Sequence, residues 1–423
     1  MLERSALSSS AATSPPQRVS ACRLCDSTVH SIVDLGPQPV AQNFSCPEAE
    51  SEGLAYRLEP AICTKCGLVQ LLELPPDDAL FTSEYAYRTG VSSWMRQHLH
   101  KVAENLLNRL RDTSDPFIVE IGCNDGTLLA PFVQSGIRHL GIDPAAKAVA
   151  TAIQNGANVK VGRFSERTAL TLRDEMGQAD AIVAINVIAH IRDLRDTARA
   201  VEQLLAPSGV FVFEAVYIEN IIGNTAFDQF YDEHVYTFSC TTAQFAFGRV
   251  GLELIDLQDS PNQGGSKIYT FAHQGARPKA EVVDRTLAEE ARLGYGGPDI
   301  WAAFADRCGH IKEQLSAILS EYSARGVRVS GYGATAKSAT VIQYCGLSRQ
   351  SLECVYDTTP GKIGKTMPHS GIPIRHADQI LTDGIDHLLL FAWNHRPEIE
   401  RREARFSETG GKWIHYVPSV KTL

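Results

Sequence analysis

Residues 117–145 read as strand, glycine loop, helix and second strand ending on an acid, and few folds accept that order. The apolar stretch Phe117-Ile118-Val119 runs into Glu120-Ile121-Gly122-Cys123-Asn124-Asp125-Gly126; TLLAPFVQSG follows, and HLGIDPA brings in Asp143. Apolar strands alternating with helices require a parallel sheet with helices on both faces. Further strands are expected at 181–185 and 209–215, and helical spacing of apolar residues over 92–110 predicts a helix before the first strand. The texture returns later in the chain, with a helix over 300–325, the strand VRVSGYGA, a helix over 335–345 and strands LECVYD and HLLLFAW. A chain of 423 residues is too long for one ordinary core. The fold class is α/β, with a central doubly wound domain, a second α/β unit at the C-terminus and a small cysteine-rich domain in front.

The first loop indicates its own ligand. E-x-G-x-x-x-G lacks the closely spaced glycines that seat a pyrophosphate in G-x-G-x-x-G, although its glycines still let a ligand approach the backbone. S-adenosylmethionine has no phosphate, and its sulfonium favours acidic, carbonyl-rich surroundings, which Glu120 and Asp125 supply. Gly122, Cys123, Asn124 and Gly126 complete the loop, and Asp143, followed by Pro144, suits ribose hydroxyls. Phe164 and Ser165, with Arg163, are expected near the adenine; Asn186, with Ala184, is expected beside the methionine half. A ligand-free glycine turn and a dinucleotide site are the alternatives.

Four of the ten cysteines form two C-x-x-C pairs, Cys22/Cys25 and Cys63/Cys66. Two such turns can close a tetrahedral thiolate site for Zn2+, and with all four positions filled by Cys the role is structural. Neither pair stands at the strand–helix junction of a redox motif. Zinc would staple a domain too small for an adequate core. Cys46, Cys123, Cys240, Cys308, Cys345 and Cys354 show no ligand spacing and read as small buried hydrophobes. The formal charge of −9 argues against a nucleic-acid partner, and the absence of a long apolar run argues against a membrane. Residues 1–18 read as a disordered tail with no signal peptide, so the expected location is the cytoplasm.

The densest polar cluster is Asp228-Gln229-Phe230-Tyr231-Asp232-Glu233-His234-Val235-Tyr236. Tyr231, Glu233 and His234 would offer a base, a group fixing its tautomer, and a hydroxyl for an enolate oxygen. His190 could add a second base or an electrophile. A surface or core-capping role for these histidines is the plain alternative. Farther on, Gly331-Tyr332-Gly333-Ala334-Thr335-Ala336-Lys337 opens a helix, and Asp357 ends the next strand. This could be a dinucleotide fingerprint, but it lacks the third glycine; a helix N-terminus with Lys337 beside it suits a phosphate.

Taken in order, CRLC, LGPQPVAQNF, CTKCGLVQL, YAYRTGVSSW, VEIGCNDGTLL, GIDPA, NVIAHI, NTAFDQFYDEHVYTFS, NQGGS and GYGATAKS resemble the sugar C-methyltransferases that act on nucleotide-linked keto-deoxysugars. The resemblance covers nearly the whole chain. It implies a zinc-binding domain (19–78), an adenosylmethionine-binding methyltransferase domain (79–255) and a C-terminal Rossmann-like domain (256–423). It implies deprotonation beside a 4-keto group and methyl transfer to the enolate carbon, in deoxysugar and antibiotic biosynthesis, on a substrate expected to carry thymidine diphosphate. By motif, His234 is the first candidate for the base, Tyr231 its rival or the enolate stabiliser, Glu233 the group orienting His234, and His190 a neighbour of the sugar. Tyr85 and Tyr87 match an aromatic pair that faces the substrate, and Lys337 belongs to a domain that covers the cleft and helps hold the nucleotide-sugar. Departures from the family's usual residues occur at 88–93, at Gln42 and at Asp232. A monomer or homodimer is expected. An O- or N-methyltransferase of natural-product scaffolds and a zinc-containing adaptor are the competing readings.

Overall fold

The computed structural model describes residues 14–46, 54–80 and 87–423. Tyr85 lies outside these. In the N-terminal part, the short strands Val29–Ser31, Pro60–Cys63 and Val69–Leu71 form an antiparallel sheet. Its fourth strand is Tyr236–Thr237, contributed by the chain segment that follows His234.

The central sheet has seven strands: β1 (Phe117–Ile121), β2 (Arg138–Asp143), β3 (Val159–Val161), β4 (Ala179–Ile185), β5 (Leu205–Val216), β6 (Leu252–Ser260) and β7 (Ser266–His273), in the order β3-β2-β1-β4-β5-β7-β6. The first five are parallel, whereas β7 is antiparallel to β5 and β6. Every residue of β1 is buried, which explains a continuous apolar run in place of alternation. Helix α1 (Ser93–Leu110) starts where Ser92 accepts from the Met95 amide, and it buries Met95, Leu99, Val102, Ala103, Leu106 and Leu110 along one stripe.

The expected boundary after residue 255 falls inside β6. β6 and β7 pair with each other and through β7 with β5, so the central unit runs on to His273. The reason is physical: without β7, the edge of β5 would be left unpaired.

The C-terminal sheet consists of β8 (Val329–Tyr332), β9 (Val355–Asp357), β10 (Ile374–His376), β11 (His387–Leu390), β12 (Lys412–His415) and β13 (Lys421–Thr422), ordered β10-β9-β8-β11-β12-β13. Helix α2 (Pro298–Ala324) precedes β8, and helix α3 (Ala336–Tyr344) follows it with Thr335 as its N-cap. Among the described residues no helix is long and apolar enough to cross a membrane.

Candidate active site

A cavity of about 580 Å3 opens at the C-terminal ends of β1, β2 and β4, where parallel sheets place their ligands. Glu120, Gly122, Cys123, Asn124, Asp143, Pro144, Phe164, Ser165 and Asn186 all line it. Gly122 has φ +72°, and a Cβ there would stand 2.4 Å from a Val187 methyl, so only glycine passes. Asp143 shapes the loop by accepting from the amides of Asn124 (2.9 Å) and Ala145 (2.7 Å). Glu120 is buried, and its Oε2 has no hydrogen-bond partner among the described residues. Burial, then the charges of Asp143 and Asp125, push its carboxyl well above the usual range. An acidic group in that state suits a cation, and adenosylmethionine supplies one.

Asp125 and Gly126 differ from the expectation of ligand contact. Neither lines the cavity. Asp125 accepts from the Gly90 amide (2.8 Å) and the Thr127 hydroxyl (2.6 Å), while Asn124 accepts from the Thr89 amide (3.1 Å). These two side chains therefore fix residues 89–90 over the loop. At Gly126 a Cβ would lie 2.8 Å from that of Ala152, so this glycine serves helix–loop packing.

The segment 228–237 is held by all three parts of the chain. Asp228 accepts from the Trp393 indole (2.7 Å) and the Tyr416 hydroxyl (2.6 Å), and the Phe230 carbonyl accepts from Thr340 (3.0 Å). Asp232 accepts from the amide of Ala41 (2.9 Å), and Tyr236–Thr237 pairs with Val69 and Gln70. Tyr231 packs in a small cluster with Ala41, Ala336 and Ala339. Contacts from both neighbouring domains thus anchor the turn that aims Tyr231.

Tyr231, Glu233 and His190 face the main cavity; His234 does not. His234 lies behind Tyr231, with its Nε2 2.6 Å from the phenolic oxygen and its Nδ1 2.8 Å from the Gln229 carbonyl. A carbonyl can only accept, so Nδ1 carries the proton and Nε2 accepts from the tyrosine. The expectation that Glu233 orients His234 is thereby corrected: the backbone at Gln229 does so. Burial, then the neighbouring His190 and Lys337, leave His234 less basic than an ordinary histidine despite the opposing Gln229 contact, and burial with the charges of Glu233 and Asp232 raises the Tyr231 phenol. Desolvation also pushes His190 down to about 4, so its ring is neutral near pH 7. The two histidine rings are 5.3 Å apart.

The C-terminal domain contributes Thr335, Ala336, Lys337, Lys362, Asn394 and His395 to the same cavity. Lys337 is buried, 4.9 Å over the Trp393 ring and 3.4 Å from Asn394 Oδ1; desolvation lowers it to about 8. Asp357 accepts from the amides of Ala334 (2.8 Å) and Thr359 (2.7 Å), which ties it to loop architecture. Tyr87 lines the cavity and is 45% exposed. Lys362 and Asn394 carry no expectation from the sequence, and Gln42 and Asn262 enter it only through the motifs that contain them. Lys362 had one available signal: it follows the acidic strand end of β9, where ligand-facing loops begin.

The four thiols of Cys22, Cys25, Cys63 and Cys66 converge within 4.8 Å of one another. Cys22 and Cys66 are 3.7 Å apart and Cys25 and Cys63 3.5 Å. Tetrahedral zinc with bonds of about 2.3 Å sets sulfurs about 3.8 Å apart, so the set fits Zn2+. Amides of Leu24, Lys65 and Cys66 point at the sulfurs of Cys22 and Cys63 at 3.4–3.5 Å, and Gly67 takes the left-handed turn at φ +71°.

Comparison with known proteins matches residues 261–418 to a C-methyltransferase C-terminal domain, 95–257 to a methyltransferase domain and 22–81 to a zinc binding domain. C-methyltransferase NovU of Streptomyces niveus is 31% identical over 406 residues, covering 95% of this chain and 96% of its own length. A ubiquinone biosynthesis O-methyltransferase of Azorhizobium caulinodans is 29% identical over 97 residues, 22% of this chain and 38% of that protein. Among solved structures, the magnesium protoporphyrin IX methyltransferase of Synechocystis aligns with 42% of this chain and 79% of its own, at 14% identity and a TM-score of 0.32.

Proposed function

This chain belongs to the C-methyltransferase family, and we propose that its substrate is a nucleotide-linked 4-keto-deoxysugar, methylated on the carbon beside the ketone. The observation that carries the reading is the chemical polarity of one cavity. The central domain lines it with the acids Glu120 and Asp143, and the C-terminal domain lines it with Lys337 and Lys362. A sulfonium suits the first group and a diphosphate the second. The hydrogen-bonding side chains Tyr231, Glu233 and His190 line the same space.

When bound, adenosylmethionine supplies an electrophilic methyl group. The chain's own residues must make the carbon nucleophilic. Tyr231 lines the cavity, and its hydroxyl donates to His234 Nε2. As the phenolic oxygen takes the substrate proton, its own proton passes to His234, so Tyr231 and His234 act as one base. The phenolate, costly in a buried site, never has to stand alone. His190, neutral near pH 7, is suited to hydrogen-bond the enolate oxygen. This division of labour revises the sequence-based expectation, in which His234 itself met the substrate.

The test is incubation with nucleotide-linked 4-keto-6-deoxysugars in deuterated water, with and without adenosylmethionine. Expected are deuterium uptake beside the ketone without the methyl donor, and a product methylated on carbon with it. A methyl group found on oxygen or nitrogen would sink the reading.

A further inference from the structure

We infer that Asn262 is a catalytic residue: its side-chain amide donates to the ketone oxygen of the substrate and, with His190, holds the enolate that forms there. The inference rests on the keto-sugar reading above.

Asn262 stands in the hairpin loop 261–265 between β6 and β7. Ser266, the first residue of β7, pairs with Val216 at the C-terminal end of β5. The loop therefore opens on the same edge of the sheet as the loops after β1, β2 and β4, and Asn262 and Gln263 line the cavity. The main chain of Asn262 is bonded on both sides. Its amide donates to Ser260 Oγ (3.3 Å), and its carbonyl accepts from the Gly265 amide (2.9 Å) and the Ser266 hydroxyl (3.0 Å). The side chain is different: Asn262 is 4% exposed, and its Nδ2 donates to nothing among the described residues. A buried donor without an acceptor is costly, and in a cavity wall an acceptor on the ligand relieves it.

The loop is also indexed to the base. Gln263 holds a left-handed backbone at φ +53°, unusual for a residue with a side chain, and its carbonyl accepts from Gln229 Nε2 at 2.5 Å. The Gln229 carbonyl in turn accepts from His234 Nδ1, the ring that accepts from Tyr231. Gly264 lies against Trp393, where a Cβ would stand 2.3 Å from the indole. One buried residue, Gln229, thus fixes both the base and the neighbour of Asn262. The reaction needs such a link. When Tyr231 takes the proton, the C–H electron pair becomes a carbon–carbon double bond and the carbonyl π pair moves onto oxygen. That oxygen is two bonds from the carbon that lost the proton, so a preorganised donor serves it best when held in the frame of the base.

The experiment compares full-length wild type, Asn262→Leu and Asn262→Asp on the nucleotide-linked 4-keto-6-deoxysugar that wild type exchanges, labelled with carbon-13 at the ketone. Both variants lose the donor, and Asp keeps the shape of Asn. Deuterium exchange and single-turnover methylation at saturating substrate should fall about a hundredfold to a thousandfold, the worth of one oxyanion donor, with substrate affinity changed by less than about threefold. In complexes with S-adenosylhomocysteine, the infrared stretch of the labelled carbonyl should lie at lower frequency in wild type than in either variant, because a donor polarises the bond. Unchanged affinity for S-adenosylhomocysteine verifies folding. Substrate affinity lost while exchange at saturation stays intact would assign Asn262 to another group of the sugar and overturn the inference, as would an unshifted carbonyl stretch. If wild type exchanges deuterium into no such sugar, the keto-sugar reading itself falls, and the inference with it.

Discussion

Replacing Tyr231 by Phe isolates a single hydroxyl. The ring stays, and with it the packing against Ala41, Ala336 and Ala339. What disappears is the hydroxyl that donates to His234 Nε2 at 2.6 Å. The stranded, buried imidazole nitrogen should cost about 1–3 kcal/mol of stability, a modest shift in the unfolding midpoint. The chemical loss should be larger. General-base catalysis is worth about 10²–10⁴-fold, or roughly 3–5 kcal/mol of barrier at about 1.36 kcal/mol per decade. The assay pairs single-turnover methylation with deuterium exchange into substrate, both at saturating cofactor. Expected is a fall of that size in both rates, with adenosylmethionine affinity preserved because Tyr231 lies outside the β1 loop. Exchange in the variant within twofold of wild type would refute the assignment, and Glu233 would then be the carboxylate base to test.

Glu120→Gln should weaken adenosylmethionine about tenfold and S-adenosylhomocysteine less, since only the former carries the sulfonium; equal losses in calorimetry would contradict the cation argument. His190 has a folded pKa of about 4 against an ordinary 6.5, so the unfolded chain binds the extra proton between those values and the native state loses stability as pH falls from 6.5 towards 4. Asp232, raised to about 7, acts in the opposite sense below pH 7, so the clean observable is a difference. His190→Gln should gain stability relative to wild type over that acid range in denaturant titrations, and a constant difference would count against a buried neutral histidine. Cys63→Ser should lower bound zinc well below one per chain by metal analysis and reduce methylation through displacement of 236–237, while adenosylmethionine binding persists; full activity in zinc-free protein would contradict that coupling.

Much of the architecture was readable from residue order because its signals are local. A fully buried strand, a glycine loop and an acidic strand end follow one another within thirty residues, and two C-x-x-C turns declare their ligands by spacing. The helix starts at Ser92 and Thr335 likewise follow from side chains that cap their own amides. What escaped depended on distant partners. Asp125 looks like a ligand for a cation until Gly90 is seen to occupy it. His234 looks like the base until the Gln229 carbonyl and the Tyr231 hydroxyl are found on its two nitrogens. That the central sheet continues through β6 and β7, past residue 255, also escaped, because these strands pair with a sheet whose other strands lie earlier in the chain. Lys362 escaped because its one signal, a position after the acidic end of β9, is shared by every residue of that loop.

The pairing of Tyr236–Thr237 with the zinc-bearing sheet bears on how such enzymes can be recombined. By linear sequence the three domains look like interchangeable cassettes. The reactive turn, however, is tied to Ala41 and Val69–Gln70 on one side and to Thr340, Trp393 and Tyr416 on the other. A chimera cut at the linear boundaries would join a turn from one parent to supports from another. Transplanting substrate preference should therefore require exchanging residues 228–237 together with both sets of supports, so that the unit of inheritance is a junction between domains.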